Sequence, residues 1–175
     1  MRVTEVGAML ATALILVGTP VLHAQDDPEA KLKAMGLTLP AGSAPIANYV
    51  KAVRTGNLVF LSGHIECATP LTGKVGAGVS VDSGYAAARR VGLCLLTSLK
   101  NEIGDLRKVK RIVKVLGMVN SAPDFGEQPR VMNGFSDLMV AVFGEKGRHA
   151  RSAVGMAALP NSVTVEIEMV VEVEG

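Results

Sequence analysis

From Val163 to Glu174 the chain alternates with a period of two. Val163, Val165, Ile167, Met169, Val171 and Val173 fall on one side, and Thr164, Glu166, Glu168, Val170, Glu172 and Glu174 on the other. Successive side chains of an extended strand point to opposite faces, so this pattern predicts a β-strand with one buried face and one face carrying carboxylates. Any fold open to the chain must set this strand in a sheet covered by apolar packing on one side.

Two helical patterns can supply that cover. Ala88, Val91, Leu95, Leu99 and Ile103 recur at helical spacing, Asp82 or Ser83 can cap the start, and Gly104 is placed to end the helix. Pro129 suits a first helical turn, and Val131, Phe135, Leu138, Met139 and Val142 give a second apolar stripe that ends near Gly144. Tyr49–Val53 and Leu58–Ser62 flank Arg54, Thr55, Gly56 and Asn57 and read as a β-hairpin. Val109 to Val119 and Ser152 to Ala158 read as further strands, and residues 64–78, with Pro70, Gly73, Gly76 and Gly78, as a surface loop. The glycines at 73–78 do not make a phosphate loop, because no strand runs directly into them and no Lys-Ser or Lys-Thr pair follows. The order is ββαβαββ, an α+β fold with a mixed sheet and two helices on one face. The other face has no helix to cover it, so its apolar residues need water, a polar coat or another subunit.

At 175 residues the chain has length for one domain. A net charge of +2, 3% aromatic residues and no Trp leave neither the basic field nor the stacking surfaces that a nucleic acid partner requires. The three histidines include no His-x-x-x-His pair, which argues against a zinc centre. Two cysteines are too few for a disulfide scaffold. Cys94 falls inside a helical apolar pattern, where a free thiol behaves as a small hydrophobe, and Cys67 follows a strand in a loop, so the expectation is that they do not pair.

Residues 1–24 read as a secretory signal peptide. Met1 and Arg2 precede an apolar run from Val6 to Val17, broken by Gly18, Thr19 and Pro20, with cleavage expected after Ala24. The run is shorter than the roughly 20 residues a spanning helix needs. The alternative is an uncleaved membrane anchor. Cleavage would leave a periplasmic or secreted protein with no membrane attachment, a lead-in segment at 25–46 with a short helix from Glu29 to Met35, and a domain at 47–175.

The residues able to carry chemistry are Arg151 at a strand start, Glu166 and Glu168 on one strand face, and the polar Tyr49, Ser62 and Asn133 at element ends. Arginine grips a planar carboxylate through two parallel hydrogen bonds. The plainer alternative is that Arg151 pairs with Glu166 or Glu168 across the sheet.

Three segments, in order, tip this balance: NYVKAVRTGNLVFLSGH at 48–64, VNSAPDFGEQPRVMNG at 119–134 and ARSAVGMAALPNSVTVEIE at 150–168. Together they resemble the RidA family, also called YjgF/YER057c/UK114, from about residue 40 to the end. The resemblance implies a chorismate-mutase-like α+β fold, a homotrimer with a cleft at each subunit interface, and hydrolysis of reactive imines and enamines of amino acids to 2-keto acids and ammonia, without a cofactor. By motif, Arg151 corresponds to the arginine that holds the substrate carboxylate and Glu166 to the acid that orients or activates water. Tyr49, Ser62, Gly63 and Asn133 correspond to positions lining the pocket. The chain departs from the family pattern at Ala153, where a Cys is usual, at Ala47 and Asn48 before Tyr49, at Gly155 and Met156, and at His64, where Gln is common.

These features lead to the expectation of an exported, trimeric imine or enamine deaminase acting on small carboxylate-bearing molecules. A non-catalytic module of the same fold, binding a small metabolite or serving as an interaction platform, is the alternative. Ribonuclease activity, a label sometimes attached to the family, is disfavoured by the charge and the scarcity of aromatics.

Overall fold

The computed structural model describes residues 27–175 except Ser43 and Ile46, and the signal-peptide reading of residues 1–24 lies outside the described residues. The alternating segment folds as expected and becomes the centre of the sheet. Five strands lie in the order β1 (Ala52–Thr55), β2 (Leu58–His64), β7 (Val165–Val173), β5 (Val109–Asn120) and β6 (Ala150–Met156). All neighbours are antiparallel except β5 and β6, which run parallel. Helices α2 (Val81–Ile103) and α3 (Gln128–Phe143) cover one face, and α3 lies between β5 and β6 in sequence, as a crossover between parallel strands requires.

The core lies between that face and the helices. Val165, Ile167, Met169, Val171 and Val173 of β7 pack there with Val59 and Leu61 of β2, Ile112, Val115 and Val119 of β5, and the apolar stripes of both helices. The opposite face carries Glu166, Glu168 and Val170, with the exposed Val53, Phe60 and Val154 on flanking strands. This is the α+β arrangement, with two helices on one face of a mixed sheet, that the sequence predicts.

The differences are local. The cap of α2 is Ser80, whose hydroxyl accepts from the Ser83 amide at 3.1 Å; Asp82 and Ser83 lie inside the first turn. The first strand begins at Ala52, so Tyr49 sits in a bend ahead of the hairpin. The loop expected at 64–78 begins after His64, the last residue of β2, and leads through the two-residue strands β3 (Lys74–Val75) and β4 (Gly78–Val79), joined through positive-φ glycines at 76 and 78. The lead-in forms helix α1 (Pro28–Ala34), capped by Asp27, whose Leu32 is buried and whose Glu29 pairs with Lys100 of α2 at 2.6 Å.

The expectation that the two cysteines stay apart is overturned. Cys67 and Cys94 form a disulfide, with Cα atoms 5.8 Å apart, inside the usual range for such a bond. The loop after β2 turns back across α2 and lays Cys67 on the helix position that Cys94 occupies. The Cys67 amide also donates to Cys94 Sγ.

Candidate active site

The candidate residues separate into two groups. The first forms around an irregularity in β2. Leu61 pairs with Met169 and His64 with Ile167, so Ser62 and Gly63 together stand opposite the single residue Glu168. Such a bulge re-aims the chain, and here it lays the Gly63 backbone against the Glu166 side chain. A Cβ on Gly63 would overlap Glu166 Oε1, so only glycine leaves the carboxylate its place. Tyr49, Lys51, Gly63, Glu66 and Glu166 line a cleft of about 330 Å³ whose floor includes Cys67 and Cys94.

Glu166 is half-buried in this cleft. Burial pushes its carboxyl above the ordinary carboxylate value, and the nearby charge of Glu168 pushes the same way. It thus holds a proton more readily than a free glutamate, which suits a group that must both take and return one.

Ser62 has a supporting place. Its hydroxyl donates to the Val50 carbonyl at 2.7 Å and so ties the Tyr49 segment to β2; its side chain faces a shallow hollow with Phe60 and Glu168 rather than the Glu166 cleft. His64 turns away to the helix side. Its Nδ1 donates to the Ser62 carbonyl at 2.7 Å, and its Nε2 meets the Ser98 hydroxyl of α2 at 2.7 Å. Burial lowers its pKa against the raising effect of the Ser62 carbonyl, and the charge of Lys51 adds to the lowering. Glu66, which sequence reasoning did not single out, is a buried carboxylate at the cleft wall. It accepts from the Leu71 amide at 2.7 Å and pairs with Arg90 of α2, which fixes the loop that carries Cys67.

The second group lies at the β6 edge. Arg151 Nη1 donates to Asn133 Oδ1 at 3.1 Å and to Ser136 Oγ at 2.9 Å, while Nη2 reaches the Pro129 carbonyl at 3.4 Å. All three partners belong to α3, so Arg151 lies on the helix-covered face, in line with its register partner Val115. Neither Glu166 nor Glu168 pairs with it, and the cross-sheet pairing alternative is thereby set aside. Ser136 was missed although a signal existed: it stands three residues after Asn133, on the same helix side.

The two groups do not meet within one chain. Arg151 pairs with Val115 of β5, and Val115 with Met169 of β7, three residues from Glu166. Two strand spacings and three strand residues amount to roughly 14 Å between the backbones. The side chains also point to opposite faces, because Glu166 belongs to the uncovered one. Among the described residues no cluster of three His, Cys, Asp or Glu side chains could hold a metal ion.

Comparison with known proteins gives a consistent set of relatives. The family model described as "YjgF/chorismate mutase-like, putative endoribonuclease" matches residues 29–172. Protein TCP17 of Trypanosoma cruzi is 45% identical over 82% of this chain and 92% of its own length. The 2-iminobutanoate/2-iminopropanoate deaminase of Escherichia coli K12 is 33% identical over 78% of this chain and 97% of its own. Among solved structures, the Agrobacterium tumefaciens protein Atu1372, of unknown function, superposes with a TM-score of 0.78 at 42% identity, covering 86% of this chain and 96% of that one.

Proposed function

Because this chain belongs to the RidA (YjgF) family, we propose that its two half-sites join between subunits of a homotrimer to hydrolyse small imines or enamines bearing a carboxylate, giving 2-keto acids and ammonia. One observation carries the reading: Arg151 with Asn133, and Glu166 with Gly63 and Tyr49, are all present, yet they occupy opposite faces and different strands of one protomer. Each half is of little use alone. Arg151 of one copy set beside the Glu166 cleft of the next makes a complete site, and the exposed Val53, Phe60 and Val154 on the uncovered face give that contact an apolar surface.

In this reading Arg151 holds the substrate carboxylate, which fixes the adjacent C=N carbon against the neighbouring cleft. The Glu166 carboxylate takes a proton from water as its oxygen attacks that carbon, and the proton passes to nitrogen. The resulting carbinolamine expels ammonia as the C=O bond forms. No redox step occurs, and the residues present supply all the proton transfers. Export to the periplasm or exterior, resting on the pattern of residues 1–24, belongs to the same proposal.

The test is keto-acid release from freshly generated 2-iminobutanoate by protein lacking residues 1–24, beside Arg151→Ala. The expected result is acceleration over buffer that falls by about tenfold or more in the variant, the loss of a charge-assisted pair. No acceleration by a folded, oligomeric wild type removes the deaminase reading for this substrate and favours the non-catalytic binding module.

A further inference from the structure

Behind Arg151 a chain of hydrogen bonds runs through Ser136 to His149 and the Gly147 carbonyl. His149 Nδ1 lies 2.7 Å from the Gly147 carbonyl, His149 Nε2 lies 3.1 Å from Ser136 Oγ, and Ser136 Oγ receives Arg151 Nη1 at 2.9 Å. The chemistry of the two ends fixes the direction of every link. A carbonyl only accepts, so Nδ1 carries the ring proton. Nε2 of the neutral ring is then a bare acceptor, and the Ser136 hydroxyl must donate to it. With its proton committed, Ser136 Oγ presents lone pairs to the guanidinium, which only donates. The ring itself is held edge-on against Phe135, with centroids 5.7 Å apart.

We infer that His149 is a positioning residue for Arg151, acting through Ser136, which locks the guanidinium in the pose that receives a carboxylate. The inference rests on the carboxylate-binding role proposed for Arg151. Nη1 spends both of its protons on Asn133 and Ser136, and Nη2 one on Pro129. Nε–H and the remaining Nη2 proton have no partner among the described residues. They are available to form the two parallel bonds of a side-on arginine–carboxylate pair. Without His149 the Ser136 hydroxyl is free to rotate, and its lone pairs no longer stay aimed at Nη1.

The same chain explains why His149 must be neutral to work. Protonation would place donors on both ring nitrogens and leave the Ser136 proton without its acceptor. The groups facing the ring are Ser136 and Phe135 from α3, the Gly147 carbonyl from the preceding turn and, as the charged neighbour, Arg151. Burial, aided by the Arg151 charge, lowers the His149 pKa against the raising effect of the Gly147 carbonyl, so the ring stays neutral at pH 7.

The experiment combines His149→Ala, Ser136→Ala, the double variant and His149→Gln, whose amide oxygen can stand where Nε2 accepts. The expected result is a KM for 2-iminobutanoate raised about tenfold or more in each alanine variant with kcat nearly unchanged, the effect of one hydrogen bond to a charged group. The double variant should match Ser136→Ala alone, because His149 acts through that hydroxyl. His149→Gln should restore the wild-type KM and abolish the rise in KM expected of the wild type as pH falls through the lowered His149 pKa, below the ordinary histidine value. NMR exchange of the Arg151 guanidinium protons reads the same positioning without turnover, and should be severalfold faster in His149→Ala than in wild type. An unchanged exchange rate in that variant, or a double variant worse than Ser136→Ala by the full His149→Ala factor, overturns the inference. An inactive wild type with slow exchange that His149→Ala accelerates sinks the deaminase reading alone.

Discussion

Removing one sulfur from the Cys67–Cys94 bond gives a prediction whose size follows from the fold. The bond spans 27 positions of sequence. Chain-entropy arithmetic for a loop of that length gives about 3.5 kcal/mol of stabilisation through restriction of the unfolded chain. Cys67→Ala isolates this effect better than a change at Cys94: Cys94 is 2% exposed, and its remaining thiol fills the same buried space as a small hydrophobe. For a domain of this size the loss should lower the thermal midpoint by about 7 to 14 °C. The assay is a thermal melt of wild type and variant, with and without a thiol reductant. Reductant should bring the wild type down to the variant and leave the variant where it was. A variant midpoint within about 2 °C of wild type in oxidising buffer would refute the reasoning, since it would mean that the loop closure contributes almost nothing.

Two further outcomes follow from the Glu166 cleft. Gly63→Ala places a methyl group on the Glu166 carboxylate, whose flexible end can swing aside; turnover of 2-iminobutanoate should fall about tenfold or more while the denaturation midpoint shifts by less than about 1 kcal/mol equivalent. Glu166 binds its proton more tightly in the folded than in the unfolded chain, so its contribution to stability is full below the ordinary pKa of 4.5 and is lost as pH rises through the raised folded value. Urea midpoints between pH 4 and 7 should therefore decline less with rising pH in Glu166→Gln than in wild type, and parallel curves would contradict the assigned shift.

The parts of the fold that repeat were legible in the sequence. The period of β7, the stripes of α2 and α3, Gly104 as the terminator of α2 and Pro129 in the first turn of α3 all express local geometry that side-chain pattern reports directly. What pattern does not report is how a loop returns over a helix. Cys67 and Cys94 meet because the segment after β2 folds across α2, an event set by tertiary packing, and the same return buries Glu66 against Arg90. The α2 cap went to Ser80 because Val81, though β-branched, accepts helical geometry once the Ser80 hydroxyl satisfies the Ser83 amide. Motif resemblance found Arg151, Asn133, Gly63 and Glu166, but the division of these residues between two sheet faces emerges only from the register. Ser136 and His149 were readable in principle, as the i+3 helical neighbour of Asn133 and the i−2 neighbour of Arg151.

The position of β7 bears on how this chain reaches its structure at all. The last strand of the sheet to be synthesised lies in its middle, bonded to β2 on one side and β5 on the other. Until it arrives, the β1–β2 hairpin and the β5–β6 pair have no shared partner, and each leaves an open edge. The sheet therefore cannot close progressively along a growing chain. It must wait for β7 and close in one late step across more than a hundred residues of intervening sequence, the kind of non-local pairing that makes folding slow. During that interval β2 and β5 each present an unpaired backbone edge, and such edges are open to pairing with a neighbouring chain.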